Sequence, residues 1–177
     1  MKRLGIITAF VMLLAAVSAA AALATQSTTI NAANAPSGTH FKSGTATCSV
    51  SSTGVSCSSY TLAGVGHTNA SVDLKATYTA TVVCVNNGTH TSDGQHQGSF
   101  PKETGPIPLT PDKNGNLPVP STSSTAPSQS DFLAQQTCPN PNWTPTVPGG
   151  ITLQSFTYTL TFAGFSGAYI TITGNDP

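Results

Sequence analysis

Charge is scarce in this chain. Only 7% of its residues are Asp, Glu, Lys or Arg, and Lys2 and Arg3 supply two of the six cations. No arginine follows Arg3. A surface this poor in cations cannot displace many counterions from a polynucleotide, so nucleic-acid binding is excluded as the main role. It also lacks the guanidinium fork that grips phosphate and carboxylate groups in two-point contacts. Glu103 is the only glutamate and tryptophan occurs once, at Trp143. With so few acids, mostly in turn-rich stretches, the paired carboxylates of a glycosidase have little to draw on. Gly-x-Ser-x-Gly is absent. Gly164-Phe165-Ser166-Gly167 falls one residue short of it and reads as a hairpin turn. Enzymatic activity is not expected, and neither is a cofactor.

Long hydrophobic runs are missing as well, with one exception. Leu4–Ala24 is apolar, follows the basic pair Lys2-Arg3, and ends on Ala22-Leu23-Ala24. A basic start, an apolar stretch and a small-x-small end are the marks of a secretory signal peptide over residues 1–24. The competing reading is a membrane anchor, since the run is just long enough to span a bilayer. Its many alanines and well-formed cleavage site favour cleavage. No twin arginine is present, no cysteine follows the run closely, and the C-terminus is no anchor, so a soluble extracellular protein is expected. Cleavage after Ala24 leaves 153 residues, with four lysines against six acids and a net charge of −2. That length suits one domain with a substantial core.

Threonine, glycine and proline are abundant. The β-branch of threonine fits a pleated strand better than a helix. Residues 25–38 are small and polar, and read as a flexible lead-in. Residues 39–177 read as a single antiparallel β-sandwich of six to eight strands, immunoglobulin-like or a related Greek key. Its clearest strand is Ala70–Val85. One face carries Val72, Leu74, Ala76, Tyr78, Ala80, Val82 and Cys84, and the other Asp73, Lys75, Thr77, Thr79 and Thr81. At about 3.3 Å per residue it would run roughly 50 Å, longer than a domain of about 40 Å. A bend is therefore expected near Lys75–Thr77. Thr152–Phe162 alternates in the same way, and with Ala168–Thr173 forms a C-terminal hairpin.

Between these strands, 86–105 and 120–137 read as long loops. Ile107–Leu109 and Leu117–Val119 read as short edge strands around the turn Asp112-Lys113-Asn114-Gly115. Asp131–Gln136 suits one helical turn capped by Asp131. Proline beside the edge strands argues against assembly by strand addition, and a monomer is expected.

The four cysteines allow three pairings. Val50 and Val55 flank the turn Ser51–Gly54, and that register sets Cys48 opposite Cys57. Cys84 lies on the apolar face of its strand, and Cys138 just precedes the final β section, which favours Cys84–Cys138. In the loop-entropy account these bonds contribute about 3 and about 4 kcal/mol. Metal ligation is the rival use. It is disfavoured because no Cys-x-x-Cys occurs and export oxidises thiols.

Two weaker signals remain. His90, Asp93 and His96 lie close together in one stretch and make a weak metal-site candidate, though they match no ligand-spacing motif. The bland alternative is a polar loop with incidental imidazoles. Trp143 can stack on a sugar ring, but packing in the core beside Cys138 is the preferred reading. Asn69, Asn87 and Asn142 open glycosylation sequons, which arise easily in an Asn- and Thr-rich chain.

Leu62-Ala63-Gly64-Val65-Gly66, Cys84-Val85-Asn86-Asn87-Gly88 with Gly94-Gln95, and Cys138-Pro139-Asn140-Pro141-Asn142-Trp143 together carry a resemblance. The chain resembles a group of small secreted proteins of actinobacteria and related bacteria. These combine a Gly-Leu-Gly-like turn, a Thr/Ala strand, Cys-x-Asn-x-Gly-Gly and Cys-Pro-Asn-x-Asn-Trp. Thr89 stands where the second glycine of the Cys-x-Asn-x-Gly-Gly motif would be. The resemblance implies an exported bacterial β protein with Cys84 and Cys138 paired, and it implies no mechanism. The expected role is that of a secreted, non-enzymatic structural or interaction domain whose partner is an extracellular protein or glycan. A carbohydrate- or surface-binding module is the second reading, and a small secreted hydrolase the third.

Overall fold

A computed structural model describes residues 26–86 and 91–175, with the backbone alone for 91–94. The leader expected over 1–24 lies outside the described residues. The described chain is all-β and every strand pairing is antiparallel. In chain order the strands are β1 (Gln26–Ile30), β2 (His40–Ser43), β3 (Cys48–Ser51), β4 (Gly54–Cys57), β5 (Tyr60–Ala63) and β6 (Ala70–Val85). They continue with β7 (Thr91–Leu109), β8 (Leu117–Val119), β9 (Thr122–Thr125), β10 (Thr144–Thr146), β11 (Thr152–Phe162) and β12 (Ala168–Asn175). Twelve strands replace the expected six to eight, because several short Ser-, Thr- and Pro-rich segments pair although they carry no alternation of their own.

Three sheets result. The largest runs β1-β12-β11-β6, with β7 along the opposite edge of β6, and β10 beyond β11 at the C-terminal end of β6. The smaller sheets are β2-β5-β8 and β3-β4-β9. One hydrophobic core draws on all three. It includes Leu74, Tyr78, Tyr158, Leu160 and Ile172 of the large sheet, Tyr60, Leu62 and Leu117 of one small sheet, and Val55 and Cys57 of the other. Buried phenols must hydrogen-bond, and here they tie the sheets together. Tyr60 and Tyr158 share a 2.9 Å bond between their hydroxyls, and Tyr78 donates to Ser124 Oγ at 2.9 Å. A second, smaller cluster joins Ala80, Val82, Phe132 and Val147 at the far end of β6.

Strand β6 is buried at every second residue, as its sequence pattern requires. Its ladder with β7 breaks between Val72 and Leu74 and again between Val83 and Val85. Only the break in the β11 ladder, opposite Thr77 and Tyr78, falls near the expected bend at Lys75–Thr77. At the first break Gly105 and Pro106 bulge out opposite Asp73. Gly105 has φ +132, and a Cβ there would stand 2.8 Å from the Val72 carbonyl oxygen, so only glycine fits.

Four expected loops or ends need correction. The lead-in 25–38 contains β1 and a 3-10 turn at Ala32–Asn34. The loop 86–105 is largely β7, and Ile107–Leu109 is the end of that strand. The loop 120–137 contains β9 and the helix α1 (Gln129–Leu133). Strand β8 pairs with β5 and does not return along Ile107–Leu109. The shared cause is templating: β1, β7 and β9 are polar strands whose backbones satisfy the open edges of β12, β6 and β4. Prolines 101, 106 and 108 are tolerated because β7 pairs with β6 on one side only. Helix α1 begins one turn earlier than expected. Ser128 caps it, accepting from the Asp131 amide at 3.2 Å and donating to the Asp131 carboxylate at 2.6 Å.

Both disulfides form: Cys48–Cys57 across the β3–β4 hairpin with Cα atoms 4.0 Å apart, and Cys84–Cys138 with Cα atoms 5.8 Å apart. The hairpin register is Cys48↔Cys57 and Val50↔Val55.

Candidate functional site

The outer face of the large sheet is the most distinctive surface. Alternation sends every second side chain of five adjacent strands away from the core, and the register arranges these side chains in rows. One row reads Ser27, Thr173, Thr157, Lys75, Glu103 across β1, β12, β11, β6 and β7. The next reads Thr29, Thr171, Thr159, Asp73. Strand spacing sets neighbours within a row about 4.8 Å apart. The result is a field of hydroxyl groups with charge at one end only.

That charge is a triad. Lys75 Nζ lies 3.1 Å from Glu103 Oε1 and 3.5 Å from Asp73 Oδ2. Lys75 is 61% exposed, whereas Asp73 is 17% exposed because it sits against the Gly105 bulge. Its Oδ1 is shielded from solvent and has no hydrogen-bond partner. Desolvation first, then the Glu103 charge, push the Asp73 carboxyl above its ordinary value against the pull of Lys75. The hydrogen bond and charge of Glu103, followed by the charge of Asp73, hold the Lys75 ammonium above its usual range. Two carboxylates thus meet, but a lysine bridges them on an open sheet face.

Glu103 is the residue that sequence reading placed wrongly. Asp73 and Lys75 are legible as outer-face neighbours two residues apart. Their third member arrives only through the β7 register, and 86–105 lacks the alternation that would announce a strand.

The remaining candidates are scattered. His90 lies outside the described residues, as does the side chain of Asp93. His96 is half-buried on β7 opposite Val82, turned toward the inner face. Among the described residues, no group of three or more His, Cys, Asp or Glu is placed to hold a metal. Trp143 is half-buried and belongs to neither hydrophobic cluster, which corrects the expectation that it packs in the core. The segment before it is turned tightly: the Trp143 amide donates to the Asn140 carbonyl at 3.0 Å, and the Asn142 amide to Asn140 Oδ1 at 3.0 Å. These bonds hold the chain in a surface turn immediately before β10.

A groove of about 530 Å³ runs between the end of β2, β5 and β8, over Tyr60. Burial, reinforced by the neighbouring Tyr158 and Tyr169 phenols, drives the Tyr60 phenol far above its ordinary value. Such a hydroxyl keeps its proton and is no nucleophile. Its work is to pair with Tyr158. Among the described residues, no helix is long and apolar enough to cross a membrane. No family model matches the chain, and neither a curated protein nor a solved structure matches it.

Proposed function

We propose that the protein is a secreted, non-enzymatic structural or interaction domain that makes its contacts through the outer face of the large sheet. The observation that carries this reading is the row pattern of Ser27, Thr173 and Thr157 beside Thr29, Thr171 and Thr159. A broad face bearing regularly spaced hydroxyls, with charge at one end only, suits a polar, weakly charged partner reached by many small hydrogen bonds. The two disulfides fit an extracellular protein. The resemblance to small secreted bacterial proteins agrees with this reading.

A carbohydrate-binding module is the second reading, favoured by the position of Trp143 outside the core and next to the exposed Asn142. A glycan array probed with the parent protein and with two variants separates the two readings. The double variant Thr157→Lys, Thr171→Lys carries charge on the outer face, and Trp143→Ala removes the ring. Binding lost only in the lysine variant supports the outer face, and binding lost only in Trp143→Ala supports the second reading. Turnover of an ester or glycoside panel by the parent protein would overturn both.

A further inference from the structure

The edges of the large sheet are unequal. Strand β7 carries prolines 101, 106 and 108 and a bulge, and its Lys102 and Thr104 side chains bond across to the Thr125 and Ser123 carbonyls of β9 at 2.9 and 3.4 Å. These are the usual means by which a sheet edge is closed to strangers. Strand β1 has none of them. Its sequence Gln-Ser-Thr-Thr-Ile contains no proline and no charge, and its ladder with β12 runs without a break. All five residues are exposed, and Ile30, at 51%, is the one exposed large hydrophobic among the described residues.

Strand β1 is also held separately from the chain that follows it. The Asn31 amide donates to the Tyr169 carbonyl at 2.8 Å, and the Asn34 side-chain amide donates to the Ala168 carbonyl at 3.1 Å. Gly64 packs so closely against the Gly38 carbonyl that position 64 could carry no Cβ. The Gly38–Gly64 contact therefore keeps the body of the domain in place when β1 leaves, and residues 31–37, released from Tyr169 and Ala168, are the hinge that lets the strand reach a second copy. Five exposed residues on one ladder form the kind of segment that opens locally at low cost. The edge it vacates belongs to Ile170–Gly174, whose isoleucines Ile170 and Ile172 are fully buried. That edge then presents unpaired backbone groups on a rigid template.

From this arrangement we infer that β1 is an exchangeable donor strand. The β12 edge of one molecule accepts residues Gln26–Ile30 of a second copy of the same chain. The occupant is defined by the molecule itself: the register Gln26↔Gly174 through Ile30↔Ile170 is the fit, and it is the same whether donor and acceptor share a chain or not. Exchange in one direction leaves the donor's own β12 open for a third copy, so the contact is head-to-tail and propagates. This revises the monomer expected from the proline-flanked edges, because β1 is the edge without proline. The inference deepens the reading of an extracellular interaction domain, and rests on it, by naming the partner as another copy.

The test uses Ser27 and Thr173, which are register partners and both exposed. Ser27→Cys protein and Thr173→Cys protein, each purified after export of the full chain, are mixed and treated with a short thiol cross-linker. Exchange yields a 27–173 cross-link between the two chains. Its yield should rise about ten-fold for each ten-fold rise in concentration while the exchanged fraction is small. The double variant should cross-link within one chain when dilute and form a ladder of multimers when concentrated. The inference is overturned if the double variant cross-links internally while the mixed single variants never join. It is also overturned if Thr28→Cys chains join each other instead, which would signal edge-to-edge pairing of two β1 strands. Loss of outer-face binding with the cross-link intact would unseat only the outer-face reading. The reverse result would unseat only the exchange.

Discussion

The inner and outer faces of the large sheet are made by the same strands, often by adjacent residues, yet they answer to different physics. On the inner side Leu74, Tyr78, Tyr158 and Leu160 are almost wholly shielded and touch two other sheets. On the outer side Thr157, Thr159 and Thr171 are partly solvated and meet chiefly their cross-strand neighbours. The inner face sets stability through apolar area removed from water, and its few polar groups are tied in pairs. The outer face contributes little to stability and is therefore free to carry a pattern. Position 160 and position 159 differ by one residue in sequence and by several kcal/mol in expected consequence.

That contrast is tested most severely by truncation. Leu160→Ala should cost about 2–5 kcal/mol in urea unfolding, the range for a buried leucine left as a cavity. A cost below about 1 kcal/mol would show that the inner face is not the stabilising one. Replacing Cys84 and Cys138 together by serine should cost about 4 kcal/mol, because that bond closes the longer loop, with a sequence separation of 54. The same change at Cys48 and Cys57, separated by 9, should cost about 3 kcal/mol, and equal losses would break the loop-length argument. Tyr158→Phe leaves the buried Tyr60 hydroxyl unpaired and should cost about 1–2 kcal/mol, with the double variant Tyr60→Phe, Tyr158→Phe partly restored.

On the outer face the expected effects are smaller and one of them depends on pH. The raised Asp73 carboxyl contributes stability that is present below its ordinary value, near 3.8, and lost as pH rises through its higher folded value. Asp73→Asn should therefore equal or exceed the parent in stability at neutral pH, and the advantage should vanish in acid. A variant less stable at pH 7 than at pH 3, relative to the parent, would reverse the sign and the argument. Thr159→Ala should change stability by less than about 0.5 kcal/mol. A larger loss would mean that the hydroxyl rows support the fold.

The same contrast explains what could be read from the sequence. Strands β6, β11 and β12 separate two faces, so their alternation is visible, and the symmetric Val50/Val55 pair fixes the β3–β4 hairpin and its disulfide. Strands β1, β7 and β9 are stretches whose conformation is imposed by a neighbour's edge. Gln97, Ser99 and Pro101 carry no signal of the register that sets them against Thr81, Thr79 and Thr77. Two members of the charged triad, Asp73 and Lys75, are legible for that reason, and the third, Glu103, is not. In the sequence Asp131 outranks Ser128 as a cap because it offers a carboxylate, yet it is the serine that stands where the free amide of residue 131 can reach it. Trp143 was drawn toward the core by its size, whereas the turn at Asn140 holds its backbone at the surface.

The pairing of β1 with β12 also sets an order in time. It joins the first described strand to the last, and β6 must likewise wait for β11 before its second edge is covered. Contacts this distant along the chain form late and slowly. A chain emerging from its N-terminal end presents Gln26–Ile30 long before Ala168–Asn175 exists, and the Tyr60 hydroxyl long before that of Tyr158. The large sheet therefore closes only once Ala168–Asn175 has emerged, and until then β1 and β11 each wait for the strand that will lie between them.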